Sequence, residues 1–138
     1  MSILDLDLSH LTPTGTARYT LTQVRIPRTS TQSVVLIVKP SGEANDAYAA
    51  ALKNAVLKGK VDATAHASIY ARHVIVGWEH VHDASGRPVP YTPAGGEELL
   101  HGLIDAKRGH DIVGGLMAFC ADADHFTGGA DAGDLGNG

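Results

Sequence analysis

The sequence predicts an α+β fold: a small N-terminal antiparallel β element followed by a helical region with a β-hairpin insertion. Three observations carry that prediction. Residues 34–39 (VVLIVK) form a short, almost wholly apolar and branched run, and residues 19–26 (YTLTQVRI) alternate for part of their length, as strands do. From Gly42 onward apolar residues recur every three or four positions, the period of an amphipathic helix. That helical region is interrupted at Asp83-Ala84-Ser85-Gly86, a turn in which Asp bonds its own downstream backbone and Gly accepts positive φ.

Taken in order, Leu4-Asp5-Leu6-Asp7-Leu8 alternates and reads as a short edge strand before the loop residues Thr12, Pro13, Thr14 and Gly15. Pro27 ends the strand of residues 19–26, because proline cannot donate to a ladder. Residues 34–39 then read as a buried central strand, antiparallel to it. A first helix is expected from near Glu43, with Ala44, Ala47, Tyr48, Ala51, Leu52, Ala55 and Val56 on one stripe and Gly59 as its stop. A second is expected over residues 63–77, followed by a hairpin over 79–90. Thr92-Pro93 starts a third, since threonine accepts a bond from an orphan amide and proline at the first helical position loses nothing. A last helix spans residues 111–123. Residues 1–126 read as a single α+β domain, and 127–138 (TGGADAGDLGNG) as a Gly- and Asp-rich flexible tail.

At 138 residues the chain is long enough for one core and too short for two. Hydrophobic residues make up 43% and aromatics 5%, so that core is built mostly from Ala, Val, Leu and Ile. The formal net charge of −4 argues against a sequence-blind nucleic-acid binder. Charge is uneven: residues 1–60 hold seven Lys/Arg against four Asp/Glu, and residues 61–138 hold four against eleven. Such asymmetry suits contact with differently charged partners or self-stacking. The single cysteine, Cys120, excludes an internal disulfide, fits a reducing compartment and reads as core filling. The N-terminus has neither a basic start nor a long apolar run, and no window approaches 18 uncharged apolar residues, so neither a signal peptide nor a spanning helix is expected.

Catalytic frames are missing: there is no G-x-S-x-G, P-loop, H-E-x-x-H or dinucleotide fingerprint. The eight histidines invite a metal reading. His80 and His82 in a strand would project from one face with Asp83 nearby, but no third ligand stands at a fixed spacing. His125 with Asp122 and Asp124 reads as a solvated helix end. No catalytic residue, metal or cofactor is therefore assigned. Trp78, at the joint between the second helix and the hairpin, is expected to be a largely buried anchor with its indole N–H bonded. Asp83 and Gly86 are expected to hold the turn.

Three pieces in this order and spacing resemble a known family. They are residues 35–48 (VLIVKPSGEANDAY), residues 71–91 with Gly77-Trp78-Glu79 and Asp83-x-x-Gly86-Arg87-Pro88-Val89, and residues 121–126 (ADADHF). The chain is similar to the small tail assembly chaperones of long-tailed bacteriophages and related prophages. Gly42-Glu43-Ala44-Asn45, Tyr48, Trp78, Asp83, Gly86, Thr92 and Phe126 occupy the family's places, while His125 stands where Asn is commoner. The resemblance implies a non-enzymatic protein of the bacterial host cytoplasm. It would coat the tape-measure protein, keep its helical apolar surface soluble and recruit tail-tube protein, with no nucleic-acid or membrane partner. It leaves open a homo-oligomer, and also a minor structural virion component such as a neck or tail-completion subunit. A metal-dependent enzyme using His80, His82, Asp83 and His125 is the rival from another class. An apolar strip of Leu99, Leu103, Leu116 and Phe119 is the expected contact for a helical partner.

Overall fold

A computed structural model of the chain describes residues 15–42, 44–106 and 109–126. In chain order the elements are β1 (Ala17–Leu21), β2 (Val34–Val38), α1 (Asp46–Leu57), α2 (Ala63–His73), β3 (Ile75–Glu79), α3 (Pro93–Asp105) and α4 (Gly109–Ala121), closed by a 3-10 turn at Ala123–Phe126. The fold is α+β. β1, β2 and β3 form one antiparallel sheet in that order, and the four helices of the described residues accompany it. The expected edge strand at residues 4–8 and the Gly-rich tail at 127–138 lie outside the described residues.

A continuous apolar run, buried at four of its five positions, makes β2 the middle strand. Val34, Leu36 and Val38 stand opposite Leu21, Tyr19 and Ala17 of β1, and all but Tyr19 are buried. On β3 the same face should be reached by residues two apart, yet Ile75 pairs with Val38 and Trp78 with Leu36. The irregularity between Ile37 and Val38 resolves this. Val76 is the extra residue, 44% exposed, and its bulge turns both Ile75 and Trp78 toward the core-facing row. On the opposite face an Arg18–Glu79 ion pair spans the middle strand over the Val35 and Ile37 positions.

Four boundaries differ from the sequence-based expectation. The first strand ends at Leu21, not at residue 26, because a turn closes with Val24 N–H donating to the Leu21 carbonyl. Ile26 then makes a lone parallel bridge to Val81. Helix α1 begins at Asp46 rather than near Glu43, because the Asn45 side chain accepts the Tyr48 N–H and sets the cap there. The second helix was expected to reach residue 77 but stops at His73. Residues 75–79 gain a ladder with β2 through Ile75, Gly77, Trp78 and Glu79, and that outweighs the helical period. The last helix is shifted two residues toward the N-terminus.

The hairpin expected at 79–90 is tighter than a pair of strands. β3 ends at Glu79, and residues 81–89 close on Val89 N–H to Val81 O and a His82–Pro88 bridge. Its tip is built as the Asp-x-x-Gly pattern requires. Asp83 Oδ1 accepts from the amides of Ser85 and Arg87, and Gly86 sits at φ +83°. Helix α3 starts where Thr92-Pro93 placed it, with Thr92 Oγ1 accepting the Gly95 N–H at 3.0 Å.

Candidate functional site

The hairpin and α3 do not close on one another, and the space between them is an apolar concavity. It measures about 430 Å³. Each wall follows from the local fold. Trp78 arrives from β3 on the face the Val76 bulge selects, Val81 and Val89 come from the two sides of the hairpin, and Ile26 is brought in by its bridge to Val81. The fourth wall is one face of α3, where Leu99 and Leu103 are four residues apart and so stand one above the other.

Trp78 is held rather than loosely exposed. Its indole N–H donates to the Val89 carbonyl at 2.7 Å, and its ring meets Tyr91 edge-on at 4.9 Å between centroids. A Cβ at Gly95 would lie 3.0 Å from the indole, so the absence of a side chain there lets the ring approach α3. Tyr91 is fixed in turn: its hydroxyl donates to the Ala71 carbonyl at 2.6 Å, and Gly96 leaves it room. Burial, with a smaller contribution from the Glu97 carboxylate, pushes the Tyr91 phenol up to about 12, so it stays a neutral donor. The expected bonded indole is present, and Trp78 packs against the core with one side of it forming the groove wall.

Polar groups at the groove are few: His82, Thr92 and the exposed Glu98. The arrangement is that of an apolar slot with a sparse polar border, suited to burying aliphatic side chains of a partner. Of the four residues expected on a contact strip, the structure brings two together here, Leu99 and Leu103. Leu116 is 1% exposed and fills the core. Phe119 packs on Tyr19, Phe126 and His125 rather than at the groove. Ile26, Val81, Val89 and Gly102 line the groove and were not foreseen. The pattern Gly95, Leu99, Gly102, Leu103 on one helical face was the available signal, since small residues beside leucines leave a hollow.

The histidine constellations are arranged differently from the expectation. His80 lies just past the end of β3 at φ +67°, so the strand spacing that would give His80 and His82 a common face does not operate. Among the described residues no three of His, Cys, Asp or Glu gather as a metal-holding group. His125 stacks on Phe119 at 4.0 Å and donates Nδ1–H to the Phe119 carbonyl at 2.9 Å, which stitches the 3-10 turn to α4. Cys120 is buried, and burial pushes its thiol up to about 12, far from thiolate chemistry. Among the described residues no helix is long and apolar enough to cross a membrane.

Fold and site together define a small α+β domain with an open apolar groove beside a proline-started helix. Residues 39–125 match the family model described as YdaY prophage protein, and the chain belongs to that family. It is thus a prophage-derived protein. The matched stretch contains every groove-lining residue except Ile26. No curated protein and no solved structure matches the chain.

Proposed function

We propose that this prophage protein is a tail assembly chaperone that holds an apolar helical segment of the tape-measure protein in the groove between the hairpin and α3. The single observation that carries the reading is the groove itself, an apolar slot with Leu99 and Leu103 stacked along one wall. From Thr92 to Leu103 the helix wall is roughly 16 Å long, enough for about three turns of a partner helix laid alongside it. Each partner leucine buried there contributes roughly 1.5–3 kcal/mol, so two or three of them supply about 3–9 kcal/mol before the cost of association. Prophage family membership and the motif order of residues 35–126 support the same assignment. In this reading the protein works in the host cytoplasm, catalyses nothing, and passes the tape-measure protein to tail-tube subunits.

Co-expression with the large tail protein of the same prophage tests the proposal. The tail protein is expected to be insoluble alone and soluble with the chaperone, and the pair should co-purify. Failure of the pair to associate, with intact virions carrying stoichiometric copies of this chain, would move the assignment to a structural tail component. Bound transition metal in protein purified without a polyhistidine tag would favour the enzyme reading instead.

A further inference from the structure

We infer that the groove selects an amphipathic helix whose apolar ridge is followed at one end by carboxylates, because that end of the groove opens onto two arginines that have no ion-pair partner among the described residues. The inference rests on the groove being a helix-binding site, as proposed above. Leu103 ends the apolar slot near the C-terminus of α3, and it also lines a second, more open depression of about 660 Å³. The remaining walls of that depression come from the turn after β1 and include Arg25 and Arg28. Ile26 between them lines the apolar slot, so consecutive residues of one turn serve the two depressions.

The two arginines differ from the other described ones. Arg18, Arg72 and Arg87 each face a carboxylate, on Glu79, Glu97 and Asp83 respectively. Arg25 and Arg28 are exposed and make no ion pair among the described residues. Earlier along the same groove stands Glu98, of opposite sign. A partner helix seated in the slot therefore meets negative charge beside its apolar ridge and positive charge beyond it. Acidic side chains one turn past the last apolar ridge residue complement the arginines. The negative C-terminal end of the partner helix does the same, so the charges also fix which way the helix lies.

Trp78 lines the groove and is the only tryptophan of the chain, so its fluorescence reports occupancy directly. Two synthetic end-blocked helical peptides make the test, identical in a leucine ridge at i, i+3, i+4 and i+7. One carries two Glu one turn beyond the last leucine, and the other carries two Lys. At low salt the Glu peptide is expected to bind about fivefold more tightly, the scale of two exposed ion pairs. The gap should shrink in about 0.5 M salt. In the double variant Arg25→Ala, Arg28→Ala the Glu peptide should fall to the level of the Lys peptide, whose own affinity should not fall. Equal binding of both peptides to the unaltered protein, or a preference that survives in the double variant, overturns the inference and leaves the groove reading intact. If neither peptide shifts the Trp78 signal, the groove reading fails and the selection fails with it.

Discussion

Trp78 and Cys120 are two residues whose chemistry follows from where the sheet and helices place them. Trp78 meets the Val89 carbonyl, the Tyr91 ring and the glycine face of α3 at once, so it holds the hairpin to the helix. Trp78→Ala should cost about 2–3 kcal/mol, at or below the lower end of the range for large buried aromatics because one side of the ring is open. Urea unfolding followed by circular dichroism measures it, and a loss under about 0.5 kcal/mol would make Trp78 a contact residue only. Cys120 gives a pH dependence. Its ordinary value of 9.0 is raised to about 12 by burial, so the folded protein keeps the proton that the unfolded chain gives up. The unfolded state then binds fewer protons, and stability falls as pH rises from about 9 toward about 12. Tyr91, also raised to about 12, adds to the same slope from pH 10 upward. Cys120→Ala should show a flatter decline between pH 8 and pH 10 in urea midpoints. An identical slope in the two proteins would mean that the thiol is not the group responsible.

At the scale of elements, Asn45 joins three of them. Its side-chain oxygen accepts the Tyr48 N–H and caps α1, while its amide group donates to the carbonyls of Pro40, just past β2, and His73, the last residue of α2. Asn45→Ala should therefore cost about 3 kcal/mol, more than a cap alone, because two carbonyls lose their donor. Asn45→Asp separates cap from clamp: an aspartate caps equally well but faces both carbonyls with an acceptor. It should melt at least as low as the alanine variant, and a melting temperature near that of the unaltered protein would reduce Asn45 to a simple cap. The sequence carried the branched apolar run of β2, the Thr92-Pro93 start of α3 and the Asp83–Gly86 turn, because each is set by residues within a few positions. It did not carry β3. Residues 74–77 continue a helical period locally, and only the ladder with β2, some forty residues earlier, decides for strand. The Val76 bulge was hidden for the same reason, and with it the side of the sheet from which Trp78 reaches the groove. Of the expected strip, Leu99 and Leu103 do line the groove, since helix spacing places them. Leu116 and Phe119 have the same spacing, but α4 turns them into the core and the Tyr19–Phe126 cluster.

For the molecule as a whole, the groove must be separated from the core that supports it, and Gly102 allows that. It lines the slot, is exposed, and an added Cβ there meets nothing within 4 Å. It also occupies the interior of α3, where glycine is less favourable than other helix formers by about 0.5–1 kcal/mol. Replacing a leucine of the groove would blur folding with binding, because Leu99 and Leu103 pack against the core as well. Gly102→Phe instead adds bulk where a partner side chain would sit and removes no contact of the fold. The variant should unfold at an equal or higher urea concentration than the unaltered protein and yet fail to solubilise the tail protein on co-expression. A smaller addition, Gly102→Ala, should gain stability while keeping most of the binding, because a single methyl leaves the slot largely open. Stability and binding moving in opposite directions with side-chain size is the outcome that a general folding defect does not produce. If Gly102→Phe still solubilises the tail protein, the partner does not lie between the hairpin and α3, and the contact must be sought on another face.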